Sequence, residues 1–166
     1  MNLPRISVLA AAGLLAAAAA VALWAPESRF AILILAGRND CPLPSVWTAA
    51  DQQAAHARLV RRLDEEARLL RSDRGFALWE IGGERYWMPA GSRMLPAMVA
   101  DQRTAVYDSA GHGVRPGDVV LDCGANVGLF TMEAVRRGAA LVVAIEPASD
   151  NVECLRRNAA HEIAAG

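Results

Sequence analysis

Lysine is absent from this chain of 166 residues: all 17 basic side chains are arginine, and 18 acids balance them to a formal charge of -1. Without an excess of positive charge no global field gathers nucleic acid, so a nucleic-acid partner is not expected. Cysteine is scarce as well. Cys41, Cys123 and Cys154 are odd in number and form no CxxC pair, which argues against a disulfide framework and a thiolate zinc site. His56, His112 and His161 each lack a ligand-type partner three or four residues on, so no metal site is expected. There is no internal repeat. What is present is apolar: hydrophobic residues make up 54% against 21% charged, enough for a folded core. The length suits one ordinary domain with an appendage, not two catalytic domains.

The amino end carries the longest apolar run. Residues 6–25 contain no charge, and Ser7 is their only polar side chain. A helix of that length rises about 30 Å, the thickness of a bilayer's hydrocarbon core. Arg5 precedes the run, Trp24 stands at its end, and Pro26 and Glu27 follow it, which suits an interfacial anchor and a helix stop. Two other readings compete with a single-pass membrane anchor. Ala20-Val21-Ala22 offers a weak cleavage site for a secretory signal, and the alanine-rich run is only mildly apolar. Arg5 on one side and Arg29 and Arg38 on the other leave the orientation nearly balanced. Residues 1–29 are therefore expected to be an anchor or signal, with 30–47 as a linker.

Residues 48–107 read as a lead-in region. Thr48-Ala49-Ala50-Asp51 resembles a capping box, and Leu59, Leu63, Ala67 and Leu70 share one helical face, with Gly75 as terminator. Arg58, Arg61, Arg62, Arg68 and Arg71 lie among Asp64, Glu65, Glu66 and Asp73, the pattern of a solvated face. Residues 76–81 and 84–88 are joined by Gly82-Gly83, a hairpin signature. Trp79 and Trp87 are expected to pack in or against it. Residues 93–107 are weakly helical, with Pro96 near their start.

The chemistry concentrates in residues 108–166. Val119-Val120-Leu121-Asp122 reads as a buried strand, followed by Cys123-Gly124-Ala125-Asn126-Val127-Gly128 and a helix over 129–137. Leu141-Val142-Val143-Ala144-Ile145 reads as a second strand, ending in Glu146-Pro147 before a helix over 149–161. This β-α-β-α order predicts an α/β fold: the start of a doubly wound, Rossmann-like sheet whose ligand binds at the carboxyl ends of the strands. Gly124 and Gly128 leave room for a ligand against backbone, and Glu146 is placed to accept hydrogen bonds from ribose hydroxyls. The loop lacks GxGxxG spacing, and Asp122 would repel a pyrophosphate. S-adenosyl-L-methionine carries a sulfonium and an ammonium instead of phosphate, so a carboxylate suits it. Asp122 and Asn126 could alternatively cap the following helix.

The run from Val119 to Gly128, with Ala144-Ile145-Glu146-Pro147 and the later Leu155 and Asn158, resembles the FkbM family methyltransferases over residues 107–166. The resemblance implies a class I S-adenosylmethionine-dependent enzyme that methylates hydroxyl oxygens of sugars, glycans or other small molecules. It places Asp122, Gly124 and Gly128 at the methionine end of the cofactor, Asn126 in the same loop and Glu146 at the ribose. Such an enzyme needs more strands than the two that fit here, and its catalytic base comes from later ones. The chain is thus expected to be the amino-terminal part of a longer enzyme, with its catalytic residue unassigned. The domain is expected on the cytoplasmic side of the membrane, where this cofactor is found. The alternatives are a nicotinamide-binding oxidoreductase and a non-catalytic, membrane-tethered interaction module.

Overall fold

A computed structural model describes residues 13, 15–20, 34, 36–37, 42–104, 106–108 and 112–165. The chain divides into two compact units, residues 1–55 and 56–166. In the first, Gly13 and residues 15–20 are helical, and helix α1 (Leu43–Glu66) begins and runs on into the second. The second unit continues with β1 (Arg68–Asp73), β2 (Phe76–Ile81), β3 (Glu84–Pro89) and α2 (Leu95–Arg103). It then adds β4 (Val119–Cys123), α3 (Leu129–Arg136), β5 (Leu141–Ile145), α4 (Ser149–Asn158) and α5 (Ala160–Ala165).

The fold class and the localisation expected from sequence both need correction. The described strands form no single doubly wound sheet: β1, β2 and β3 make an antiparallel sheet, and β4 and β5 a separate parallel pair. The molecule is mixed αβ. Among the described residues no helix is long and apolar enough to cross a membrane, so the single-pass anchor and the membrane localisation built on it are not supported. The described helical stretch at residues 15–20 is Leu15 followed by five alanines, whose methyl side chains are only mildly apolar. The rest of the 6–25 run lies outside the described residues, as does the weak cleavage site apart from Ala20.

Helix α1 also departs from expectation at both ends. It starts at Leu43, inside the stretch read as linker, because Pro44 suits a first helical turn. Thr48 is therefore interior, and its hydroxyl donates back to the Pro44 carbonyl at 3.1 Å rather than capping. The helix stops at Glu66, where Asp64, Glu65 and Glu66 put three negative charges against the negative end of its dipole and no basic side chain offsets them. The next residues become β1. Arg74 (φ 48°) and Gly75 (φ 89°) form a two-residue turn into β2, as Gly82 (φ 59°) and Gly83 (φ 88°) do into β3. Both central residues of each turn have positive φ, the pattern whose twist matches paired strands. Gly75 thus turns a hairpin instead of ending a helix.

One apolar cluster joins these pieces. Leu63 of α1, Ile81, Tyr86 and Met88 of the antiparallel sheet, Leu95, Val99 and Ala100 of α2, Val127, Leu129 and Cys154 are all buried together. Trp79 and Trp87 are half-buried against it. Arg136 of α3 reaches Glu84 of β3 at 2.6 Å, and Tyr86 donates to the same carboxylate. Helix α4 lies on β3. There the Asn158 carboxamide accepts the Trp87 N–H at 2.6 Å and donates to the Trp87 carbonyl at 3.0 Å. Its second amide hydrogen goes to the Val127 carbonyl at 2.8 Å, in the turn after β4. Arg157, beside it, lies over the rings of Phe76 and Trp87 at 4.4 and 4.8 Å.

The parallel pair is covered on one face only. Val120, Asp122, Val142 and Ala144 are buried or half-buried, whereas Val119, Leu121, Leu141, Val143 and Ile145 are exposed, Val119 by 73%. Parallel strands are ordinarily covered on both faces.

Replacing Asn158 with Ala removes three partly buried hydrogen bonds and leaves three backbone groups unpaired. We expect a loss of about 2–3 kcal/mol in urea unfolding. A change below about 0.5 kcal/mol would show that this side chain does not hold α4 to β3.

Candidate functional site

Strands β4 and β5 run parallel with Asp122 opposite Ala144 and Cys123 opposite Ile145. Both chains therefore leave the pair at the same end, and the turn at residues 124–128 crosses that end. The Gly124 and Ala125 N–H groups donate to the Ile145 carbonyl at 2.8 and 3.0 Å, so the turn is sewn to the tip of β5. Gly124 has φ 85°, and a Cβ built there would meet nothing within 4 Å. The space beside it is open. Gly128 (φ 89°) is the N-cap of α3, and a Cβ there would come within 3.0 Å of the Leu155 side chain. Its role is close packing between α3 and α4, with positive φ as a second reason for glycine.

Asn126 also has positive φ, at 50°, which asparagine tolerates better than most residues. Its N–H donates to Glu146 Oε2 at 2.9 Å. Oε1 of the same carboxylate accepts the Ala148 N–H at 2.9 Å and the Asn151 amide at 3.2 Å. Glu146 thus braces the glycine turn against the first turn of α4. The Ala148 N–H, first, and then the Asn126 N–H and the Asn151 amide hold its carboxyl below the ordinary carboxylate range, against an opposing effect of desolvation. Three of its roughly four acceptor positions are used, leaving one for a ligand hydroxyl.

Asp122 is buried, and its Oδ2 accepts the Thr131 hydroxyl at 2.5 Å, which ties β4 to α3. Beside it opens a cleft of about 430 Å³. Leu121, Asp122 and Cys123 of β4, Gly124, Ala125 and Asn126 of the turn, and Leu129 and Phe130 of α3 form one side. Met98, Asp101 and Gln102 of α2, with Tyr107, complete it. The Tyr107 and Phe130 rings lie 4.9 Å apart, tilted by 48°. Asp101 accepts a hydrogen bond from His56 Nε2 of α1 at 2.8 Å.

Of the residues read from sequence, Asp122, Gly124 and Asn126 line the cleft, whereas Gly128 and Glu146 support the turn from outside it. The sequence pattern does not mark the α2 residues of the cleft. They lie some twenty residues before the glycine turn in a weakly patterned stretch, and only tertiary packing brings them across from it. Cys123 lines the cleft and is exposed, while Cys154 is buried, which pushes its thiol up to about 11. Among the described residues no grouping of His, Cys, Asp and Glu could hold a metal ion.

Among the described residues the lining contains two carboxylates and no arginine, lysine or histidine. A volume of this size falls in the range of small-molecule sites. The charge disfavours a phosphate-bearing ligand and suits a neutral or cationic one. No family model matches the chain, and no curated protein matches it.

Because the folded value of Glu146 is depressed, its contribution to stability is present above the ordinary carboxylate pKa. That contribution is lost as pH falls through the lower folded value. Glu146→Gln should therefore unfold at a lower temperature than the native chain at pH 7, with the gap closing below about pH 4. An equal gap at both pH values would show that the ionised carboxylate does not brace the turn.

Proposed function

We propose that this chain forms the cofactor-binding portion of an S-adenosyl-L-methionine-dependent methyltransferase that acts on a hydroxyl group of a sugar, glycan or other small molecule. The observation that carries the reading is a cleft at the tips of two parallel strands, walled by a glycine turn, whose described lining residues include two carboxylates and no cationic side chain. The resemblance of residues 107–166 to the FkbM family supports the same cofactor.

The residues present fit that group. Gly124 leaves open space for a ligand against backbone, and Asp122 sets a negative wall at the tip of β4. Glu146 keeps one acceptor position for a ribose hydroxyl while its other contacts fix the turn. When bound, S-adenosyl-L-methionine supplies a sulfonium methyl for in-line transfer to an acceptor oxygen. The protein's part is to fix donor and acceptor in line, which supplies most of what such a transfer needs from positioning. The uncovered apolar face of β4 and β5 supports a larger assembly in which further residues bind the acceptor and take its proton. Activity is therefore expected of that assembly, and cofactor binding of this chain.

Thermal unfolding with added cofactor tests the reading. S-adenosyl-L-methionine at a hundredfold excess over its Kd should stabilise the chain by about 2.7 kcal/mol, and NADH should not. Asp122→Ala and Glu146→Ala should abolish the gain. Stabilisation by NADH alone would instead identify a nicotinamide-dependent oxidoreductase. No effect of either on a folded chain would leave a non-catalytic module.

A further inference from the structure

We infer that Asp101 of α2 is the anionic contact for the ammonium of the cofactor's amino-acid end; this rests on the reading above and deepens it. Asp101 and Asp122 are the two carboxylates among the described lining residues, and they are not equivalent. Asp122 is buried, with one oxygen committed to the Thr131 hydroxyl, so less of its carboxylate is open to a ligand. The Asp101 side chain is 39% exposed. His56 Nε2, 2.8 Å from Oδ1, fixes its orientation from the α1 side, and Oδ2 has no protein partner among the described residues. Among the described residues no cation in the lining competes for it.

Position selects which part of the ligand it meets. The cleft opens at the β4 end of the glycine turn, and Glu146 stands at the β5 end, outside the lining. A ligand with its ribose at Glu146 extends its amino-acid end across the turn toward α2. There the zwitterion's ammonium meets a carboxylate with an unused oxygen, and the neighbouring Gln102 offers a neutral amide to its carboxylate. Tyr107, Phe130 and Met98 give that end a polarisable, uncharged wall.

Three ligands separate this contact from the others. S-adenosyl-L-methionine has both ammonium and sulfonium, S-adenosylhomocysteine keeps the ammonium with a neutral thioether, and methylthioadenosine has neither charge. Calorimetric titration of the full chain and of Asp101→Asn, which preserves an oxygen to accept from His56, gives the comparison. We expect the substitution to weaken the first two ligands roughly ten- to hundredfold and to leave methylthioadenosine unchanged. Loss of S-adenosyl-L-methionine alone would assign Asp101 to the sulfonium and overturn the proposal. Equal weakening of all three would make the effect structural and also overturn it. Unchanged binding of all three removes Asp101 from the site and leaves the cofactor reading intact. Failure of the native chain to bind any of the three removes the cofactor reading and this contact together.

Discussion

Everything in the second unit depends on where α4 docks, and the Asn158 carboxamide sets that position. A strand such as β3, paired on one side only, presents free N–H and C=O groups on the other. Asn158 offers one acceptor and two donors, and it uses them on the Trp87 N–H, the Trp87 carbonyl and the Val127 carbonyl. A single side chain therefore pairs the outward-facing backbone groups of Trp87 at the edge of the antiparallel sheet and fastens the turn between β4 and α3 to it. Leu155, one turn earlier on the same helix, closes against Gly128. With α4 displaced, the turn would lose both its packing partner and a hydrogen bond, and β3 would lose its cover.

Charge is used in two distinct ways around that turn. Glu146 works inward: it takes the Asn126 and Ala148 N–H groups and so sets the gap between the glycine turn and α4. Asp122 likewise faces Thr131. Asp101 differs, because its single tie to His56 leaves charge available in the cleft. A pair of acids at strand tips is thus partly a structural device, and the more exposed carboxylate of the cleft comes from a helix in the lead-in region.

The local parts of this fold were legible where a short pattern determines them. Gly82-Gly83 places the turn between β2 and β3, and two short continuous apolar runs flanking a glycine turn place β4, α3 and β5. Residues 68–73 form a strand although Leu63, Ala67 and Leu70 continue a helical spacing. The acidic end of α1 and the positive-φ pair Arg74-Gly75 outweigh that spacing. The parallel pair was read as the opening of a larger sheet, yet the other three described strands pair only among themselves. The site was half legible. Asp122, Gly124 and Asn126 announce themselves by spacing, whereas Met98, Asp101 and Gln102 reach the cleft only through packing that no local pattern encodes.

The most direct test of the account is the amide NMR spectrum of the uniformly ¹⁵N-labelled chain titrated with S-adenosyl-L-methionine and, separately, with NAD. The account requires the Gly124, Ala125 and Asn126 amides to shift saturably with the first ligand and to stay in place with the second. Loop amides that ignore S-adenosyl-L-methionine, or respond equally to both, would contradict it.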